Sequence, residues 1–201
     1  MNKLVELKYD EQQKNEIIIT NFVKMLYNRN YFGDSNLNDL IKSGINNFTN
    51  YKTFIKYNNE NFHLIIIPYK LNTIKKTEDI ENFLNSNDDK KIFVVLSGST
   101  KIEKQILEYK KTEVFNDVDL LVNIIDNNLI PKHILLSDEE ANNILTEYKI
   151  NKKNLPCILS QDRIAKYYNI TQGQIVKIIR PSITAGEEII YRVCINGKIP
   201  S

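Results

Sequence analysis

The first part of the chain places apolar side chains at the three- and four-residue spacing of helices that are buried along one face. The first such stripe predicts a helix over 11–29, followed by Gly33 as a stop signal. A second stripe predicts a helix over 36–48, although Gly44 inside it costs about 1 kcal/mol relative to alanine. The first stripe consists of Ile18, Phe22, Met25 and Leu26, and the second includes Leu37, Leu40, Ile41, Ile45 and Phe48.

The middle of the chain changes to short runs of β-branched and aromatic residues. Unbroken apolar runs such as 63–68 and 92–96 are typical of strands that are covered on both faces. Helical spacing returns over 75–85 and 100–110. Because strands and helices alternate across short connections, this part predicts an α/β layer arrangement. Its predicted strands are 51–57, 63–68, 92–96 and 112–116.

A domain boundary is predicted near Pro131, just before a new strand over 131–136. Ser137 and Glu140 then fit a capping box, in which the serine accepts a hydrogen bond from a backbone N–H and the glutamate reaches back. The apolar stripe of the helix that follows is formed by Ala141, Ile144, Leu145 and Tyr148.

The remaining sequence predicts a compact α+β domain over 131–201. Apolar and polar residues alternate along its last strand, which is typical of an antiparallel strand with one buried face. Ile189, Tyr191 and Val193 share the predicted buried face, while Cys194 is predicted on the other. The predicted parts are a helix over 163–168 capped by Asp162, a strand over 174–180 after Gly173, a loop with Pro181 and Gly186, and a strand over 188–195.

Composition narrows the class of protein. The 201 residues carry a net charge of +2, which argues against a protein whose main task is to wrap nucleic acid but leaves room for a local basic contact. The two cysteines cannot form a disulfide framework, so a reducing compartment is expected. No apolar run approaches the roughly 18 residues of a membrane span, and the first residues are too charged for a signal peptide. We therefore expect no contact with a membrane.

Reactive groups are scarce. His63 and His133 each lie beside an apolar run, where a structural histidine is more common than a metal ligand. The cysteines have no CxxC partner and the glycines form no nucleotide-binding loop, so neither a metal nor a cofactor is expected. A metal-dependent nuclease would need carboxylates on adjacent strands. The acidic residues of this part are instead predicted on a helix surface or in a loop, namely Asp79, Glu81, Asp88 and Asp89.

One strand-to-helix turn has a composition that suits phosphate. Ser97–Lys101 follows a buried strand and opens a helix whose free N–H groups could hold an anion, with added charge from Lys101 and Lys104. The alternative is an ordinary turn that is capped by Ser99 or Thr100.

The C-terminal part resembles a known family. The run 173–186 reads GQIVKIIRPSITAG, and with DRIAKYY at 162–168 it resembles the fifth shared subunit of eukaryotic-type DNA-directed RNA polymerases. The counterpart in archaeal RNA polymerases resembles this domain alone. The segments NFHLIIIPYKLNTIK and IFVVLSGSTKIEKQI resemble parts of the family's N-terminal jaw domain. The resemblance is therefore to a eukaryotic-type subunit, which a nucleus or a large DNA virus could encode.

The resemblance implies a fold and a role. The fold would be an α/β jaw domain over 1–130, restriction-endonuclease-like but inactive, plus a small α+β assembly domain over 131–201 with a mixed sheet. The chain would be a non-catalytic subunit of a DNA-directed RNA polymerase, the nucleotidyltransferase complex that carries out transcription. It would dock on the largest subunit beside the small shared sixth subunit, and its jaw would line the downstream duplex DNA. A cellular protein would be nuclear, and a viral one would occur in the virion or host cytoplasm.

The resemblance also implies site residues. The jaw turn would contact DNA through Ser99, Thr100, Lys101 and Lys104, although the family's usual proline is here Lys101. Arg180, held extended before Pro181, could offer a forked donor to a partner; the alternative is that this loop merely closes a hairpin. A stand-alone DNA-binding or nuclease-derived factor on the same fold is the alternative function, and an adaptor for some other protein is a third. The expected subunit-interface residues are Arg163, Tyr167, Lys177, Arg180, Pro181, Ser182, Thr184, Gly186 and Arg192.

Overall fold

The computed structural model describes residues 9–58, 60–69, 78–85, 89–96, 100–182, 184 and 186–197. The chain divides into two compact units between Asn123 and Ile124, ahead of the boundary predicted at 130/131. Each unit contains one four-stranded sheet with its own helices.

The N-terminal unit follows the order of elements that the hydrophobic pattern predicts. Both early helices and all four strands are confirmed within a few residues, and the described parts of the two later helices agree with the predicted spans. The elements are α1 (Glu11–Asn28), α2 (Leu37–Asn46), β1 (Lys52–Tyr57), β2 (Glu60–Ile67), α3 (Glu78–Asn85), β3 (Lys90–Val95), α4 (Thr100–Leu107), β4 (Thr112–Asn116) and α5 (Asp117–Leu121).

The sheet of this unit has the order β1-β2-β3-β4, with β1 antiparallel to β2 and the other neighbours parallel. One face packs against α3 and α4, where Ile65 and Phe93 meet Leu84 and Ile106. The opposite face lies against the first two helices, since α1 contacts β2 and α2 contacts β1. Because β2 and β3 are covered on both sides, their apolar runs need no alternation.

Gly44 allows α1 and α2 to approach closely. A methyl group at this position would lie 3.1 Å from Cγ2 of Ile19 and 3.5 Å from Cγ2 of Val23. The backbone carbonyl of Gly44 also accepts a hydrogen bond from the hydroxyl of Thr53 on β1. The low helix propensity of glycine is thus offset by a tight contact of two helices with the sheet.

Three polar side chains inside the N-terminal unit have contacts that the sequence did not predict. Arg29 at the end of α1 forms a bidentate pair with Glu113 of β4, at 2.9 and 2.8 Å, and its side chain is only 3% exposed. Asn21 donates to the backbone oxygen of Leu120 at 2.7 Å. Lys91 is 2% exposed and its Nζ donates to the oxygen of Leu84 at the end of α3. These contacts satisfy buried groups and fix α1 and α3 against the sheet.

The C-terminal unit contains a mixed sheet, as the α+β prediction expects. Its order is β5-β7-β8-β6, with β6 parallel to β8 and the other neighbours antiparallel. The elements are β5 (Lys132–Leu135), α6 (Asp138–Glu147), β6 (Cys157–Leu159), α7 (Arg163–Tyr167), β7 (Ile175–Ser182) and β8 (Gly186–Ile195).

The loop around Pro181 is shorter than the sequence predicts. Strand β7 continues through Pro181 and Ser182, which pair with Glu187 and Gly186 of β8. Proline is tolerated because it lies near the end of the strand, and Gly186 has the expected positive φ, +75°. Most of the predicted loop is therefore the end of a regular hairpin.

The prediction that β8 is a half-buried strand is wrong for its C-terminal half. Cys194 is fully buried with Ile158, Ala165 and Val176 on the α7 side of the sheet. Val193 is buried on the opposite side, in the cluster that includes Ala141 of α6. At the other end of the strand Ile189 is 48% exposed, against the prediction that it is buried. The helices cover both faces of β8 at one end only. The alternation of apolar and polar residues along the strand therefore does not predict which of its side chains are buried.

The capping box at the start of α6 is confirmed. The hydroxyl oxygen of Ser137 accepts from the backbone N–H of Glu140 at 3.2 Å, and the Glu140 carboxylate accepts from the backbone N–H of Ser137 at 2.8 Å. These contacts hold the pKa of Glu140 below its usual value. The predicted cap of α7 is also present, because Asp162 accepts from the N–H of Ile164 at 2.8 Å.

We predict that Ser137→Ala lowers the free energy of unfolding of the C-terminal unit by about 1 kcal/mol, because the helix loses its cap. Urea denaturation followed by circular dichroism measures this. The control is Asn143→Ala, an exposed position within the same helix, which removes no cap and should change stability by less than about 0.5 kcal/mol. Equal effects of the two substitutions would contradict the prediction.

Candidate functional site

Most of the predicted interface residues of the C-terminal unit lie at its surface. Arg163 at the start of α7 is exposed, as are Pro181, Thr184 and Gly186 around the hairpin turn. Ser182 is half-buried, and its hydroxyl lies 3.4 Å from that of Thr184. The hairpin end thus presents short polar groups to solvent.

Tyr167 differs from the other predicted interface residues. It is 3% exposed, and its ring packs edge-on against Tyr168 with centroids 5.2 Å apart. Its side chain belongs to the core of the unit rather than to an exposed surface. The sequence could not distinguish the two neighbouring tyrosines, because a five-residue helix has no periodicity to read.

The predicted charged residues are divided between the two faces of the sheet. Lys177 is half-buried opposite Tyr191, on the side of α6. Arg192 lies opposite Val176, and Val176 belongs to the cluster on the α7 side. Arg180 shares this second face, since it lies two residues beyond Ile178.

The two arginines on the α7 side differ in their contacts. Both Nε and Nη2 of Arg180 contact Glu188 Oε2, at 2.9 and 2.8 Å. The guanidinium of Arg180, which was expected to donate to a partner, therefore donates to a carboxylate of its own hairpin. Arg192 makes only a long hydrogen bond, 3.4 Å from Nη1 to the oxygen of Cys157, and none of the ion pairs among the described residues includes it.

These residues border a groove that the sequence did not predict. The groove has a volume of about 230 Å³ and lies where α7 stops covering the sheet. Isoleucines from four elements form its floor, and charged or polar side chains form its rim. It is lined by Pro131, His133, Ile158, Asp162, Ile164, Ile178, Arg180, Ile190 and Arg192.

His133 has a defined protonation state in this groove. Its Nδ1 lies 2.7 Å from the backbone oxygen of Pro131, so Nδ1 carries the proton and Nε2 is the acceptor of the neutral ring. Burial lowers the pKa of His133, and Arg192 adds to the lowering, against the opposing effects of the Pro131 carbonyl and Asp162. The imidazole is therefore neutral at pH 7.

The structure describes only part of the turn that was predicted to contact DNA. Ser99 lies outside the described residues, and Thr100 is the first residue of α4. Lys101 and Lys104 are exposed on that helix, one turn apart. The two cations thus project from a common side of α4 toward solvent.

The acidic residues that a nuclease site would need do not lie together in the part of the chain that the structure describes. Asp89 lies 3.0 Å from Nε2 of His63 and accepts hydrogen bonds from Asn61, whereas Glu81 lies on α3. Asp88 is outside the described residues. Among the described residues no group of three or more His, Cys, Asp or Glu side chains could hold a metal ion. Within the same ranges, no helix has the length and apolar character needed to span a membrane.

Comparison with known proteins identifies the family. The model of "RNA polymerase Rpb5, C-terminal domain" matches residues 122–194. The "DNA-directed RNA polymerase subunit 5" of Acanthamoeba polyphaga mimivirus is 30% identical over 200 residues, which cover 96% of this chain and 97% of that protein. This chain belongs to the RNA polymerase subunit 5 family.

Cellular relatives match a shorter part of the chain. The "DNA-directed RNA polymerases I, II, and III subunit rpabc1" of Dictyostelium discoideum is 45% identical over 128 residues, 61% of this chain and 64% of that protein. The corresponding protein of Caenorhabditis elegans is 39% identical over 114 residues, 54% of each chain. Membership of the subunit 5 family confirms the resemblance drawn from GQIVKIIRPSITAG. The groove lies wholly within the region that the family model matches.

The buried histidine generates a prediction of pH dependence for this member of the subunit 5 family. Because the pKa of His133 is lower in the folded than in the unfolded chain, the unfolded state binds the proton first as the pH falls. The free energy of unfolding should therefore decrease below pH 6.5, and His133→Asn should remove this contribution. Urea denaturation between pH 5 and 8 measures it. The variant His63→Asn is the control, since it leaves His133 in place; an unchanged slope in His133→Asn would contradict the prediction.

Proposed function

We propose that this chain is a non-catalytic subunit of a DNA-directed RNA polymerase. Its C-terminal unit docks on the largest subunit beside the small shared sixth subunit, and its N-terminal unit lines the path of downstream duplex DNA. The observation that carries this proposal is the similarity to the mimivirus polymerase subunit, which spans almost the whole of both chains. A cellular owner would place the subunit in the nucleus, and a viral owner in the virion or host cytoplasm.

The composition of the N-terminal sheet supports a non-catalytic role. In an α/β unit the active groups lie at the carboxyl ends of parallel strands. In β2 these positions are held by Ile66 and Ile67, and in β3 by Val95, all of them buried and aliphatic. Such side chains neither bind a divalent ion nor activate water. The arrangement of a mixed sheet between helices supports an inactive, restriction-endonuclease-like jaw domain.

The surface of α4 supports the proposed DNA contact. Lys101 and Lys104 present two exposed cations one helical turn apart, which suits contacts to one or two phosphates. Such contacts add little affinity alone, in keeping with a net charge of +2. DNA would therefore be held by the assembled polymerase, with Ser99, Thr100 and the two lysines contributing at the jaw.

The hairpin and the arginine side of the C-terminal sheet support the assembly role. Pro181, Thr184 and Gly186 are exposed at the hairpin end, and Arg163 and Arg192 are exposed elsewhere in the same unit. Ser182, half-buried, and Arg180 belong to the same proposed surface, whereas Lys177, also half-buried, would contribute from the α6 face of the sheet. Arginine is among the residues that are enriched at protein interfaces, and interface rims are polar.

We expect that the tagged full chain, purified from its native source, recovers the two largest polymerase subunits in equal amounts. The tag alone, expressed in the same way, is the control. A monomer free of polymerase subunits would contradict the assembly role. Tight binding of this monomer to duplex DNA at physiological salt would instead support the stand-alone DNA-binding alternative.

We predict that a polymerase assembled with Lys101→Glu and Lys104→Glu binds downstream duplex more weakly. The slope of log affinity against log salt should become shallower by about 2, because two phosphate contacts are lost. The control carries Lys14→Glu and Lys42→Glu, which make the same change of charge at exposed positions of α1 and α2. Equal effects of the two pairs would exclude a local contact at α4.

A further inference from the structure

Strand β1 is the outer strand of the N-terminal sheet. It pairs with β2 on one side, and no other strand in the described part of the chain pairs with it. In an antiparallel pair every second residue directs its N–H and C=O to the partner strand. The N–H of Ile66 donates to the oxygen of Tyr51, which sets the phase of this alternation. The backbone groups of Phe54 and Lys56 therefore point away from β2.

This outer edge of β1 is satisfied only at its beginning. The N–H and C=O of Lys52 are bonded to Thr49, at 2.9 Å each. The oxygen of Phe54 accepts a long hydrogen bond, 3.3 Å, from Nδ2 of Asn47. Among the described hydrogen bonds, none from this side reaches the N–H of Phe54 or the N–H and C=O of Lys56. The edge is therefore open to a strand of another protein, the mode of recognition called β-augmentation.

The side chains along this edge combine one apolar group with two cations. Phe54 is 44% exposed, and Lys52 and Lys56 lie on the same face of β1 because they are two residues away on either side. An added strand would place its own side chains directly opposite these three. An apolar residue would then pack on Phe54, and an acidic residue two positions away would meet a lysine.

The position of Phe54 is supported from inside the sheet. His63 of β2 lies directly opposite it, with ring centroids 6.2 Å apart. The imidazole is held by Asp89, 3.0 Å from its Nε2, and by the edge-on ring of Phe83. Asp89 precedes β3 and lies two strand spacings, about 10 Å, inward from β1. Its carboxylate is thus directed at His63 and not at the outer edge.

A second copy of this chain does not suit the edge. Antiparallel pairing of two β1 strands about Phe54 would place Lys52 of each copy opposite Lys56 of the other. Like charges that lie directly opposite each other destabilise a strand pair. Lysines on an edge strand discourage such self-pairing, whereas a strand that carries carboxylates at these positions is favoured.

We propose that the outer edge of β1 binds an extended acidic segment of another protein, in which an apolar residue packs on Phe54 and a carboxylate two positions away pairs with Lys56. The backbone of this segment bonds to the outward N–H and C=O of Lys56. The inference goes beyond the proposed function, because it requires no other polymerase subunit.

Selection of random linear peptides displayed on phage, with the full chain as bait, tests the chemistry of the occupant. Enriched peptides should carry Asp or Glu two positions from an apolar residue, and the Phe54→Ser chain should not retain them. The control is Tyr9→Ser, which removes another exposed aromatic ring outside β1 and should retain them. No enrichment, enrichment without a carboxylate, or equal retention by Phe54→Ser would overturn the proposal. Retention of single-stranded DNA in place of peptides would assign the edge to a nucleic acid and would also overturn it.

Substitutions of Lys56 separate the backbone contact from the charge. Lys56→Ala removes the charge alone and should weaken binding of a synthetic copy of the enriched peptide about threefold. Lys56→Pro also removes the outward N–H and should weaken it about tenfold more. Proline is tolerated on an edge strand where the lost N–H faces solvent, and circular dichroism checks that the chain is folded. Equal affinities of the two variants would exclude strand pairing.

Discussion

A sheet whose two faces are apolar must be covered on both, and this constraint organises each unit of the chain. In the N-terminal unit four helices cover the sheet, two on each face, and Gly44 allows α1 and α2 to lie close together. In the C-terminal unit the helices are too short to cover both faces of the sheet along their whole length. Helices α6 and α7 bury the two faces of β8 near Val193 and Cys194 but leave its other end exposed. The surface available to a partner follows from this incomplete coverage.

Three arginines at the borders of the two sheets differ in their contacts. Arg29 and Glu113 satisfy each other, and their bidentate contact leaves no buried charge unpaired at the end of α1. Arg180 and Glu188 form an ion pair at the surface. This pair contributes little stability, but it holds the arginine side chain against its own hairpin. Arg192 has no such carboxylate among the described residues.

The proposed assembly role fits the side chains at the ends of the N-terminal strands. Aliphatic side chains fill the described carboxyl ends of β2 and β3, where an α/β enzyme would carry reactive groups. The buried thiol of Cys194 has a raised pKa because of burial, which keeps it protonated and unreactive. The exposed groups are cations on α4 and short polar residues at the β7–β8 hairpin.

The sequence by itself determined the elements and the family. Helical stripes, β-branched runs and the Ser137 capping box depend on local spacing and local hydrogen bonds, so they could be predicted within a few residues. Of the expected interface residues, those around the β7–β8 hairpin were named from the family run, and Pro181, Thr184 and Gly186 are exposed. Tertiary structure alone decided that Tyr167 and Cys194 are buried, that Arg180 is paired, and that His133 borders a groove. These outcomes depend on which helix covers which end of a strand, a long-range relation that no local pattern of residues encodes.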